Sequence, residues 1–242
     1  VENGTTISIL KIPMGKEASK SILREGELLS FLEKCDVKGA PKLISANDGL
    51  GQTMQTAVEG KLASREMNSA LVNWLVQLPR SGKRLSVRDQ RESLSRIMDA
   101  KNGGWSVQKT ELIKSALNMI GDESYVPCIL VHGDFAPWNI KNSDGQYRVF
   151  DWEDGCIDGY PLWDMCHFSF IQAFLFNDSH LVSGFLSSNL VGEYLDKLLL
   201  TNEMSKRLTL IYMLSVALCN EHNASSEYRE FLIDQIPVVL SS

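Results

Sequence analysis

The sequence is short of the residues that would tie it to several large classes of function. Its five cysteines, Cys35, Cys128, Cys156, Cys166 and Cys219, are odd in number and lie mostly in apolar surroundings, so they read as reduced core residues rather than a disulfide framework. Cys156, Cys166 and His167 lie near one another in the chain, but no Cys-x-x-Cys pair accompanies them, which leaves a zinc site short of ligands. Basic charge is not in excess. The 24 Lys and Arg stand against 30 Asp and Glu, a net −6 that argues against a general nucleic-acid binder. Uncharged runs, such as residues 179–192, fall short of the roughly 20 residues a membrane helix requires. No secretory signal is visible, so the expected compartment is the cytoplasm, with no membrane partner. Repeats and low-complexity tracts are absent.

What the chain has in quantity is apolar surface and locally concentrated acid. With 242 residues and 44% hydrophobic content it can bury one sizeable core, or two lobes that share a cleft. Within residues 121–170, nine acidic side chains stand against Lys141 and Arg148, a segment of net −7 that leaves the rest of the chain at +1. The acidic excess surrounds residues 129–152, where an apolar strand runs into a loop and a second apolar strand follows.

Ahead of that stretch the pattern is strand-rich and then helical. Asn3-Gly4 is a turn pair and residues 5–12 are β-rich, with Lys11 in an otherwise apolar strand, where a lysine is either an edge charge or a group held in a cleft. Residues 17–34 carry an apolar stripe at helical spacing, interrupted by Arg24-Glu25. A short strand is expected over 39–44, a turn at 49–51 and a strand over 53–58. From Lys61 the composition shifts to amphipathic segments, with helices expected over 67–78, 86–100 and 107–120, joined by loops at 79–85 and 100–104. Beyond the central stretch come a helix apolar on every face over 165–176 and further helices over 181–200, 205–219 and 227–240.

The central loop carries Asp134, then Asn139 five residues on, then Asp151 twelve beyond that. Phosphoryl transfer from a nucleotide needs a carboxylate beside the acceptor hydroxyl and hard oxygen ligands for Mg2+; a carboxylate, an amide oxygen and a second carboxylate supply both. His132 and Gly133 fit as the parts that hold and bend the turn. Taken singly, each of these residues is explained as well by turn formation, which Asp, Asn, Gly and Pro all favour.

The run His132-Gly133-Asp134, four residues, Asn139, then a strand ending in Asp151 resembles the catalytic loop and metal strand of the aminoglycoside phosphotransferase and choline kinase group, relatives of the protein kinases. The resemblance spans about residues 7–214 and is dense in motifs only at Lys11, Glu25 and 132–164. It implies an α+β, two-lobed protein-kinase-like fold: a small β-rich N-lobe over 1–60 that binds nucleotide, and a mainly helical C-lobe over 61–242 with the catalytic loop and metal site. It implies ATP and Mg2+ as cofactors, with Asp134, His132 and Asn139 in the catalytic loop. Asp134 would orient or deprotonate the acceptor, and Asn139 and Asp151 would hold the magnesium. Lys11 takes the place of the strand lysine that reaches the phosphates, and Glu25 that of its helix partner, with Glu27 the competing choice if the register slips. Ala57 and Val58 fall where the family's hinge backbone binds adenine. Asp164 corresponds to a carboxylate that braces the catalytic loop, a position that also suits an ordinary helix start.

One family feature has no counterpart. A glycine-bearing hairpin over the phosphates should precede the lysine strand, but only ten residues precede Lys11 and Asn3-Gly4 occupies the next hairpin. The N-lobe is therefore expected to be truncated, the chain being a piece of a longer one. The implied function is ATP- and Mg2+-dependent phosphorylation of a hydroxyl on a small molecule, whether aminoglycoside, choline-like amine, amino alcohol or sugar. Two rivals from other classes are a nucleotide-binding pseudoenzyme and a metal-dependent phosphohydrolase built from His132, Asp134 and Asp151. The latter has few histidines to draw on, four in the whole chain. Glu153, Asp154 and Asp158 lie beyond the acids the mechanism would use, so a cationic or amine-bearing acceptor is expected, against the plainer reading of a solvated acidic loop.

Overall fold

The structure is a computed structural model and describes residues 7–100, 104–121, 124–219 and 224–242. The Asn3-Gly4 turn and most of the 100–104 loop lie outside these residues. In chain order the elements are β1 (Ser8–Lys11), α1 (Lys16–Lys34), β2 (Leu43–Asn47), β3 (Gln52–Thr56), β4 (Lys61–Leu62), α2 (Ser69–Val76), β5 (Arg80–Ser86), α3 (Val87–Ala100), α4 (Val107–Ile120) and β6 (Tyr125–Val131). A 3-10 turn (Pro137–Asn139), β7 (Ile140–Ser143), β8 (Gln146–Val149) and β9 (Cys156–Gly159) follow. The chain then continues through α5 (Trp163–Leu175), α6 (His180–Ser187), α7 (Asn189–Lys197), α8 (Glu203–Leu218), α9 (Ser226–Asp234) and α10 (Ile236–Ser241).

The strands form small antiparallel sheets in the orders β1-β3-β2, β4-β7-β8 and β5-β6-β9. The first sheet is backed by α1, whose Ile22, Leu28, Leu29 and Leu32 recur on one side and are all buried. Glu17 in its first turn and Lys34 in its last complement the helix dipole. Gly26 lets α1 approach β3 closely, since an added Cβ would lie 3.0 Å from Thr53 Cγ2. That approach carries the neighbouring Glu25 wholly inside, at 0% exposure.

The larger core is helical. In α8 every residue from Leu208 to Leu218 is buried, and α3, α4, α5, α9 and α10 pack around it. Its polar members are paired: Ser215 accepts from Gln90 Nε2 at 3.1 Å, and Thr209 Oγ1 meets Cys166 Sγ at 3.7 Å. Each large aliphatic side chain buried here contributes about 1.5–3 kcal/mol.

Several expected boundaries move, each for a local reason. The strand expected over 39–44 forms instead at Leu43–Asn47, because Gly39 (φ +85°) turns tightly against β8, where an added Cβ would lie 2.2 Å from Tyr147 O. The loop expected over 79–85 is β5, a polar edge strand whose exposed residues carry no apolar alternation to betray it. The helix expected over 181–200 is two, broken at Ser188, whose hydroxyl caps the second by accepting from Leu190 N–H at 3.2 Å. The last helix is also two, since Pro237 in the first turn of α10 has no N–H to continue α9.

Candidate active site

Strand β6 is buried from Cys128 through its last residue, Val131, and delivers the chain to His132 at the heart of the molecule. Gly133 follows with φ +88°, and a Cβ there would lie 2.2 Å from Asp154 O, so no side chain can occupy the position without moving that backbone. The turn is braced from α5: Asp164 accepts from His132 N–H at 2.8 Å and from Gly133 N–H at 3.0 Å. Burial pushes the Asp164 carboxyl up to about 6, although both backbone bonds act the other way. The loop then closes through the 3-10 turn onto Asn139. Its Nδ2 donates to Asp134 O at 3.0 Å and to Asp134 Oδ2 at 2.8 Å. With the amide nitrogen committed, its oxygen is the end turned elsewhere. Phe150 N–H donates to Asn139 O at 3.1 Å, which ties Asn139 to the residue immediately before Asp151.

His132, placed in the catalytic set from the sequence and read there as a part that holds the turn, has its ring packed inside the fold. It is 0% exposed, lies 4.6 Å from the Trp152 ring by centroids, and its Nε2 is 3.0 Å from the Phe150 carbonyl, to which it donates. Burial pushes its pKa down to about 4. A pKa lowered in the fold from about 6.5 means that the neutral ring contributes stability present above pH 6.5 and lost as pH falls toward 4. In His132→Asn, the destabilisation measured by urea unfolding at pH 7.5 should therefore shrink by about 3 kcal/mol as pH falls to 4. A penalty constant across that window would show that the imidazole does not titrate with folding.

Lys11, Glu25 and Asp151 do come together, from β1, α1 and the loop after β8. Lys11 Nζ donates to Asp151 Oδ1 at 2.6 Å and lies 2.7 Å from Glu25 Oε2. Burial pulls the ammonium's pKa down, but the bonds and charges of Asp151 and Glu25 outweigh it, so the net shift is upward. Glu25 Oε1 also accepts from Trp152 N–H at 3.1 Å, fixing α1 to the residue after Asp151. Asp151 itself sits at φ +68°, a left-handed conformation that an Asp adopts more readily than most residues. Glu27, the alternative partner, is exposed and lines a separate groove with Arg24 and Phe31.

Asp134 lies on the floor of a chamber of about 360 Å³ walled by α5, α8 and α9, with Trp163, Ile171, Phe174, Val216 and Tyr228 among its lining. Burial acts to raise the Asp134 pKa, but the His167 hydrogen bond and charge outweigh it and hold the carboxyl below its ordinary value. His167 Nε2 stands 2.8 Å from Asp134 Oδ1. Of the three acids expected at a cleft mouth, only Asp154 lines this chamber. Asp158 is instead drawn to Lys83 Nζ at 2.9 Å, and Glu153 is not part of the lining. Burial, then the charge of Asp134, raises the Asp154 pKa, and among the described residues it has no ion-pair partner.

His167 escaped the sequence reading as anything but a remote zinc ligand, and the cysteines beside it lead elsewhere, Cys166 being buried against Thr209. One clue was present. His167 follows Asp164 by three residues, which places both on one side of α5, toward the loop. Ala57 and Val58 line a different cavity, of about 880 Å³, shared with Trp74 and Tyr147; Lys11, Glu25 and Asp151 are not among its lining. Ala57 N–H donates to Ile7 O at 3.1 Å, and Val58 O accepts from Lys141 Nζ at 2.8 Å. Among the described residues no three His, Cys, Asp or Glu side chains gather into a metal cage. An amide oxygen and a carboxylate, as Asn139 and Asp151 offer, would suit Mg2+, which takes few protein oxygens when phosphates and water complete its shell.

No family model and no curated protein matches this sequence. Solved structures do. Choline kinase LicA from Streptococcus pneumoniae superposes with TM-score 0.60 at 16% identity, covering 97% of this chain and 86% of that one. Macrolide 2'-phosphotransferase MphH from Brachybacterium faecium gives 0.62 at 13% identity over 95% and 83% of the two chains. ADP-bound aminoglycoside phosphotransferase APH(2'')-Ib gives 0.57 at 13% over 96% and 88%. The chain has their protein-kinase-like fold. In this kinase-like frame the expected α+β architecture is the observed one, with the β1-β3-β2 sheet and α1 as the small lobe against a mainly helical remainder.

Proposed function

We propose that the protein is a small-molecule kinase that transfers a phosphoryl group from ATP, with Mg2+, to a hydroxyl of its substrate. The observation that carries this reading is the placement of Asp134: an ionised carboxylate on the floor of a ligand-sized chamber, oriented through Asn139 toward the segment that holds Asp151 and Lys11. On this reading Asn139 and Asp151 hold the magnesium, which when bound neutralises charge on the transferring phosphates. Lys11, positioned by Glu25, binds phosphate oxygens, and backbone at Ala57 and Val58 receives the adenine. Asp134 accepts the hydrogen bond of the acceptor hydroxyl and so aims its oxygen. Catalysis comes from positioning and charge stabilisation rather than a covalent intermediate. The domain division follows: residues 1–60 serve the nucleotide and residues 61–242 the chemistry and acceptor.

The chamber also narrows the acceptor. Its aromatic and aliphatic walls suit a compound with an apolar face, and Asp154, raised in pKa by burial and by Asp134, gains from a cation beside it. We assign the acceptor as an amine-bearing hydroxyl compound of that kind. ATP consumption should be screened with amino alcohols, choline, aminoglycosides, neutral sugars and sugar phosphates. Amine-bearing compounds should be turned over and sugar phosphates rejected. With the selected amine, Asp154→Asn should raise KM by roughly tenfold at low salt and less at high salt, where screening already weakens the attraction. A panel with no ATP-consuming acceptor would sink the kinase reading. A preference for neutral or anionic sugars would sink only the amine assignment.

A further inference from the structure

Behind Asp134 runs a line of side chains that the proposed chemistry does not yet use. His167 Nε2 meets Asp134 Oδ1 at 2.8 Å, His167 Nδ1 meets the Tyr212 hydroxyl at 3.1 Å, and the Tyr212 hydroxyl meets that of Tyr228 at 2.8 Å. The four residues come from the catalytic loop, α5, α8 and α9, so the line crosses the helical core from the chamber floor. Both phenols are buried, and burial holds each protonated.

The chemistry of the groups fixes the end of the line at Asp134. An ionised carboxylate can only accept, so His167 presents Nε2–H to Asp134. The other ring nitrogen, Nδ1, is bonded to the Tyr212 hydroxyl, which is bonded in turn to that of Tyr228. The imidazole is held at both nitrogens and cannot turn, which fixes one carboxylate oxygen while Asn139 fixes the other. A carboxylate pinned at both oxygens presents its remaining lone pairs in one direction only.

We infer that His167, held by the Tyr212–Tyr228 hydroxyl pair, is the positioning residue of Asp134 and sets the line along which the acceptor hydroxyl is aimed. This rests on the phosphotransfer reading above. His167 acts through Asp134, so its loss should lower kcat and leave nucleotide binding alone. Misplacing a reacting group by an ångström or so costs about 100-fold.

The test compares His167→Leu, His167→Gln and His167→Asn with the unaltered chain, using Mg·ATP and the panel acceptor turned over fastest. A glutamine amide reaches the place of Nε2 and can still donate to Asp134, whereas an asparagine amide is too short. The expected result is a kcat about 100-fold lower for the Leu and Asn variants, with KM for ATP within about twofold and Gln recovering most of the rate, since only the Nε2 donor is needed. Should the Leu variant fail to fold, the Gln and Asn pair still decides the matter, since both are polar and differ in reach. Equal kcat in all variants would overturn the inference, as would equal impairment of Gln and Asn, which would make the role one of packing. If the unaltered chain phosphorylates nothing in the panel, the kinase reading falls and this inference with it; if it turns over and the variants match it, only this inference falls.

Discussion

Asp134→Asn should retain the fold and lose about 10²- to 10⁴-fold in kcat, the range over which a positioned acid or base acts. The fold is expected to survive because the side chain is not core: 36% of it is exposed to the chamber, and its bonds run to His167 and Asn139 rather than into an apolar cluster. An amide in its place keeps the shape but must present an NH₂ to one of two neighbours that are themselves donors, His167 Nε2–H and Asn139 Nδ2. One contact therefore becomes repulsive, at about 1–3 kcal/mol in stability. A small drop in melting temperature with a large drop in kcat is thus the expected pair of readouts. Near wild-type kcat at saturating substrate would show that Asp134 has no part in the chemistry, and loss of folding would return it to the role of turn former.

The second large effect is expected at Asp151. Asp151→Asn removes a charge while keeping a residue that tolerates φ +68°, where Ala would add strain. One unit-charge contact at 4 Å in an effective dielectric of 20 is worth about 4 kcal/mol, so Kd for Mg·ATP should rise about 100-fold or more by calorimetry. Asn139→Ala should weaken binding less, since it removes a neutral ligand. Glu25 Oε1 still accepts from Trp152 N–H in the Asp151 variant, so the small lobe stays anchored and the loss can be ascribed to the nucleotide site. Unchanged Mg·ATP affinity would remove Asp151 from the metal assignment, and equal loss in Lys11→Ala and Asp151→Asn would point to a phosphate contact instead.

Legibility in the sequence followed the range of the interactions. The Lys11–Glu25 pairing and the Asp164 brace were legible only through the resemblance, since taken alone the lysine suits an edge strand, the glutamate a solvated helix face and the aspartate a helix start. The break at Ser188 was hidden because the apolar stripe continues across it, and only the cap shows that the backbone does not. β5 was hidden for the opposite reason, being an edge strand recruited by β6 with Leu85 as its one apolar residue. Most of the chamber was out of reach for a third. Tyr212 and Tyr228 sit on helices that, read singly, present them as core, and only the assembly of α5, α8 and α9 turns their hydroxyls into one line. His132 was expected to hold the turn, but the contacts by which it does so, its ring packed on Trp152 and bonded to the Phe150 carbonyl, have no signature in the sequence.

Gly133 meets the Asp154 carbonyl so closely that no side chain fits between them. The residue before Asp134 is thereby keyed, backbone against backbone, to the residue that supplies the acidic wall. On the proposed reading, where Asp134 serves the hydroxyl and Asp154 the amine, this contact holds the main chain that carries the two carboxylates in one register. A substrate whose hydroxyl and amine span that register would then be preferred. Fitting a bulkier or slimmer compound would then fall to the helix faces, at Ile171, Phe174 and Tyr228, while that backbone contact stays the same.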